Sequence, residues 1–183
     1  MASIHERLRD AAQVGSESEL RALLREPGGD ALAQDKFGMT ALMWATRHGH
    51  EACISLLRPA SDAQAKDNEG MTALMWAAWN GRKACVELLL PGSDALARDK
   101  GEMTALMWAA WNGHEACVSL LIPASDPLAK NEDGLTANGL AADRGHEGLA
   151  RFIDACALAQ SEQVALGVAV CTGPPRGRAI RRI

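Results

Sequence analysis

Thr40, Thr72, Thr104 and Thr136 recur every 32 residues, and Gly49, Gly81, Gly113 and Gly145 keep the same step. MTALMWAAWNG occurs verbatim at 71–81 and 103–113, MTALMWATRHG at 39–49 is a close copy, and LTANGLAADRG at 135–145 is a degraded one. A fixed period of this size constrains the fold more than composition does: each unit buries its apolar face only against neighbours, so the units must stack into an array. A copy that degrades at the end of the array suits a terminal unit that faces water instead of another repeat.

Within one unit, Thr104 is placed to cap a helix through Ala105, Leu106, Met107, Trp108, Ala109 and Ala110, and Gly113 to close it in the left-handed conformation. A second helix starts near His114, carries an apolar stripe through Ala116, Cys117, Val118, Leu120 and Leu121, and stops at Pro123. ASDPLAKNEDG then predicts an extended loop with tight turns at Asn131–Gly134. Each unit is therefore helix, tight turn, antiparallel helix, long loop. The first unit lacks TALMW and offers two Ser-x-x-Glu capping boxes, Ser3–Glu6 and Ser16–Glu19, as an N-terminal cap would. The last second helix, from about His146, is longer than the internal ones. Phe152, Ile153, Cys156 and Leu158 are expected to seal the array there, and Val164, Leu166 and Val168 to extend the seal or reach a partner.

TALMWAAWNGHEACVSLL resembles the ankyrin repeat, whose signature is TPLHxAAxxGHxxxVxxLL, and the likeness recurs in register from residue 5 to about residue 160. The resemblance implies an all-α ankyrin-repeat solenoid of about five helix-turn-helix units, near 1–34, 35–66, 67–98, 99–130 and 131–170, with capping first and last units. A basic tail at 171–183 lies beyond them. Two departures matter. The family's Pro and His are replaced by Ala41 and Met43, Ala73 and Met75, and Ala105 and Met107, which exchanges a Thr–His hydrogen bond for apolar packing. The period is also one residue shorter than usual, with Pro59, Pro91 and Pro123 ending the second helices, so a slight change of curvature is expected.

Composition bounds the function classes. The net charge is −4, and Arg176, Arg178, Arg181 and Arg182 all lie in the tail, so the rest of the chain is near −8. That argues against a nucleic-acid-binding body, which needs a basic face. The N-terminus MASIHERLRDAAQ has charges where a signal peptide needs an apolar run, and no apolar stretch approaches membrane-spanning length, so a cytoplasmic, monomeric chain with no membrane contact is expected. Five cysteines without metal-ligand spacing read as reduced, buried thiols.

Chemistry finds little purchase. His50 with Cys53 and His114 with Cys117 share a helical face, but each unit offers two ligands and Arg82 breaks the series, so no metal is expected. No nucleophile elbow or phosphate-binding glycine loop occurs, and neither an enzyme nor a cofactor is expected.

The surface is the remaining candidate. The resemblance implies a concave recognition face built from the loop tips and the exposed side of each first helix. The loop tips are Lys36 and Phe37, Asn68 and Glu69, Lys100 and Gly101, and Glu132 and Asp133. Trp44, Trp76 and Trp108 fall where the family keeps a core leucine; Trp79 and Trp111 fall where it is exposed and variable. With Met39, Met71 and Met103 they are expected to form an apolar stripe, a common mark of a binding surface. The expected partner-binding residues are Lys36, Phe37, Met39, Arg47, His48, Glu69, Met71, Trp79, Asn80, Met103, Trp111, Asn112 and Arg144. Three functions stay open: a protein-interaction module, an inhibitor or regulatory subunit of an enzyme, and an effector delivered to another cell. The tail carries no share of the predicted core. Deleting residues 172–183 should leave a single cooperative unfolding transition in urea, and loss of that cooperativity would contradict the array boundaries.

Overall fold

The computed structural model describes residues 3–165, with side chains to residue 162. The expectations for the side chains of Val164, Leu166 and Val168, and for the basic tail, lie outside the described residues. Ten α-helices and no strands occur among the described residues, in five antiparallel pairs. These are α1 (Ile4–Val14) with α2 (Glu17–Leu23), α3 (Ala41–His48) with α4 (Glu51–Leu57), α5 (Ala73–Trp79) with α6 (Lys83–Leu89), α7 (Ala105–Trp111) with α8 (Glu115–Leu121), and α9 (Ala137–Asp143) with α10 (Glu147–Ala165). The first helices pack in one row, α1 on α3, α3 on α5, α5 on α7 and α7 on α9, and the second helices α2, α4, α6 and α8 pack in a parallel row.

Helices of seven residues are too short to persist alone, so capping and tertiary packing must fix them. The side chain of each threonine accepts a hydrogen bond from the third residue of its helix, Thr40 from Met43 N, Thr72 from Met75 N, Thr104 from Met107 N and Thr136 from Gly139 N. In the place of the family's polar histidine, Met43, Met75 and Met107 are each 1% exposed, beside fully buried Leu42, Leu74 and Leu106. The second helices add Ile54 and Leu57, Val86 and Leu89, and Val118 and Leu121, each contributing about 1.5–3 kcal/mol by leaving water.

Several expectations change in detail. Pro59, Pro91 and Pro123 do not end the second helix abruptly; each lies in the first turn of a short 3₁₀ segment that continues it, where a missing N–H costs nothing. The Ser3–Glu6 capping box forms, whereas Ser16 makes no side-chain cap. At the far end Ile153 is 1% exposed and seals the array, but Phe152 and Leu158 are 43% and 66% exposed and do not. Among the described residues no following repeat covers that face.

The glycine closing the first helix is required twice over at Gly81 and Gly113. Gly113 has φ 73°, and a Cβ there would sit 2.5 Å from the ring of His146, the residue that opens the next unit's second helix. Gly81 and His114 repeat this at 2.6 Å, and His114 Nε2 donates to Trp79 O across the repeat boundary at 2.9 Å. Gly113→Ala should therefore destabilise the protein by about 1–3 kcal/mol, measured as a lowered urea midpoint; an unchanged midpoint would contradict this packing.

Candidate functional site

Between the helix pairs each loop runs through a tight turn governed by one aspartate. Asp99 Oδ1 accepts from Gly101 N and Met103 N, both at 2.9 Å, while its Oδ2 accepts from Trp108 Nε1 at 2.8 Å. Asp67 does the same for Glu69 N, Met71 N and Trp76 Nε1, and Asp35 for Phe37 N, Met39 N and Trp44 Nε1. The carboxylate thus fixes loop to helix through three bonds. In the last unit Asn131 keeps the two loop bonds, but Leu140 replaces the tryptophan and no indole is there to donate. Acid and indole are lost together, as a paired requirement predicts.

This geometry corrects the reading of Trp44, Trp76 and Trp108 as core fillers. All three are half-buried, because the indole N–H must reach an aspartate at the core's edge. It also corrects the methionine stripe. Met39, Met71 and Met103 are 3%, 4% and 6% exposed, since the aspartate turn folds each one inward; they form the floor of the groove and not its surface. His48, Asn80 and Asn112 are not free rim groups either: His48 Nδ1, Asn80 Nδ2 and Asn112 Nδ2 donate to the carbonyls of Trp44, Trp76 and Trp108 in the last turns of the first helices.

The remaining predicted residues come together as a ladder along the first-helix row. The Arg47 guanidinium carbon lies 5.4 Å from the Trp44 ring centroid and 5.0 Å from that of Trp76. One unit on, Trp79 takes the same slot, 5.9 Å from Trp76 and 4.3 Å from Trp108. Trp111 follows, with the Arg144 guanidinium 4.0 Å over its ring. Trp79 is 39% exposed and Trp111 half-buried. Neither indole N–H donates to a protein acceptor among the described residues. Lys36, Phe37 and Glu69 stand exposed at the loop tips, with Lys36 Nζ 4.9 Å from the Phe37 ring.

Ladder and loop tips enclose a groove of about 410 Å³ over the third to fifth units, lined by Trp79, Trp108 and Trp111 on one side and by Glu69, Lys100, Glu132 and Asp133 on the other. A smaller one of about 300 Å³ lies beside Phe37, Arg47 and Trp76. The larger groove opens where one loop inverts two residues. The glycine at the left-handed turn position, Gly38, Gly70 and Gly134 elsewhere, is Glu102 in the fourth unit, at φ 58°. Gly101 precedes it, so the tip that carries Phe37 or Glu69 in earlier units is bare. Glu102 is drawn aside to Arg98 Nη1 at 2.8 Å.

The other chemistries considered from sequence find their residues engaged. His50 Nε2 donates to Gln13 O at 2.9 Å, and among the described residues no group of three or more His, Cys, Asp or Glu could hold a metal. Desolvation raises the thiol pKa of Cys85 and Cys117 to about 11, and burial followed by the charge of Glu17 raises that of Cys53. Sequence reasoning missed the aspartates. Their signal was present as an acid nine residues before each TALMW tryptophan.

A stacked array of capped helix pairs, with aspartate-locked loops projecting beside an exposed aromatic face, defines a helical-repeat scaffold. A family model described as ankyrin repeats (3 copies) matches residues 8–99 and 91–163, and the chain belongs to the ankyrin-repeat family. Ankyrin repeats are generally protein–protein interaction modules and typically not catalytic. No curated protein matches the chain. No described helix is long and apolar enough to cross a membrane.

Two measurements follow. Asp99→Ala, which strands three donors, should cost about 2–4 kcal/mol; Asp99→Asn with Trp108→Leu, the last unit's pairing, should cost at least about 1 kcal/mol less than the two single changes added. Simple additivity in urea unfolding would contradict the coupling. The raised thiols stabilise the fold fully below the ordinary thiol value of 9.0 and lose that contribution as pH climbs towards about 11. Stability should therefore decline across that window, and less so in Cys85→Ala/Cys117→Ala protein.

Proposed function

We propose that the chain is a protein-interaction module that takes a segment of a partner into the groove between its loop tips and first helices. Trp79 and Trp111 are the anchors, and Lys36, Arg47 and Glu69 form part of the rim. The observation that carries this reading is Trp79, a 39% exposed indole at the mouth of a groove of about 410 Å³. Its N–H has no protein acceptor among the described residues. An open indole of this kind supplies both a large apolar contact and a hydrogen-bond donor, the combination enriched at interface hot spots. The module acts as a monomer in the cytoplasm, where the buried thiols remain reduced.

The test is affinity capture of a partner, followed by two substitutions with opposite physical effects. Trp79→Arg copies the residue that the second unit carries in the same slot, so it preserves the ladder while removing the apolar anchor. Gly101→Phe copies Phe37 at a position where a Cβ makes only ordinary contacts, 3.5 Å to Asp99 Oδ1 and 3.6 Å to Glu132 Oε1, and it fills the groove. Each should weaken partner binding by about tenfold or more with little change in melting temperature. Undiminished affinity in both variants would remove the groove from the binding site.

A further inference from the structure

The groove's two walls differ in chemistry, and together they specify more than an apolar segment. One wall is the indole series Trp79, Trp108 and Trp111. The facing loop tips contribute Glu69, Glu132 and Asp133 against a single cation, Lys100. All four side chains are exposed, and none makes an ion pair among the described residues. Asp99 also lines the groove, but its carboxylate already accepts three hydrogen bonds. The field of the three free carboxylates is therefore directed at whatever enters between them and the indoles.

The chain itself demonstrates what these indole faces accept. On either side of the groove they are covered by guanidinium groups, Arg47 between Trp44 and Trp76 and Arg144 over Trp111 at 4.0 Å. A cation near an indole face is held by the ring quadrupole, and more strongly where carboxylates stand close and water is partly excluded. Only over Trp79 does the ladder combine an open indole, a bare loop tip at Gly101 and surplus negative charge. Resting on the proposed interaction role, we infer that the groove selects a basic segment of a partner protein, with an Arg or Lys side chain lying against Trp79, as Arg144 lies against Trp111, and answered by Glu69, Glu132 and Asp133.

The test is a selection of displayed random dodecapeptides on the full chain, with peptides that also bind the Gly101→Phe variant removed. Recovered peptides should share an Arg or Lys. Replacing an Arg by citrulline or a Lys by norleucine, which keep the aliphatic stem and lose the charge, should weaken binding about tenfold or more. The triple variant Glu69→Gln, Glu132→Gln, Asp133→Asn leaves the aromatic wall and the backbone bonds in place and should bring a comparable loss, together with loss of the salt dependence of binding. Groove-dependent peptides without a cation would overturn the inference and leave the interaction role standing, whereas no groove-dependent peptide at all would remove both. Binding that emerges only after Arg176, Arg178, Arg181 and Arg182 are changed to Gln would assign the groove to the chain's own tail and overturn the choice of a partner.

Discussion

A single carboxylate in each of three units holds loop to helix, and the rest of the structure depends on that junction. Asp35, Asp67 and Asp99 each accept two loop amides on one oxygen and an indole on the other. The loop bonds close a turn that drives Met39, Met71 or Met103 into the core. The indole bond draws Trp44, Trp76 or Trp108 out to the core's edge, where its ring faces the neighbouring unit. Loop tips are then joined by backbone bonds from one repeat to the next, Asn68 N to Phe37 O, Lys100 N to Glu69 O and Glu132 N to Gly101 O. Short helices and polar loops thereby become a continuous scaffold.

The groove follows from small departures within that regular frame. With Arg47 in the slot between successive tryptophans, a flexible charged chain covers the aromatic faces. Trp79 in the same slot makes the surface rigid and apolar instead, and Trp111 extends it. The inversion that puts Gly101 ahead of Glu102 strips one loop tip of its side chain and places a non-glycine residue at φ 58°. A residue in that region costs about 1–2 kcal/mol, offset in part by the Arg98 contact. A repeat array otherwise built for stability thus carries its open surface where its sequence departs from its own pattern.

Much of this fold is legible in the amino-acid sequence. The 32-residue spacing, the threonine caps and the left-handed glycines fix helix pairs and stacking order, because each rests on local backbone chemistry. The distinction between Trp108 and Trp111 is legible too, since only the former recurs in three units. Depth is what the sequence does not yield. Met103 reads as exposed by its position in the repeat, yet lies 6% exposed because a carboxylate four residues earlier binds its amide and closes the turn. Asn80 and Asn112 read as rim residues, yet the side-chain amide of each joins its own backbone N–H in donating to the carbonyl of Trp76 or Trp108. The aspartate–tryptophan pairing is visible in sequence only as a spacing with no evident purpose.

The five tryptophans divide into three whose indoles are bound to aspartates and two whose indoles have no protein acceptor among the described residues. Amide and indole hydrogen exchange followed by ¹⁵N–¹H NMR on the unliganded chain tests this division directly. The indole N–H groups of Trp44, Trp76 and Trp108, donated to aspartates, should exchange far more slowly than those of Trp79 and Trp111. Five indoles exchanging at one common fast rate, or protection strongest at Trp79 and Trp111, would contradict both the junction and the site built on it.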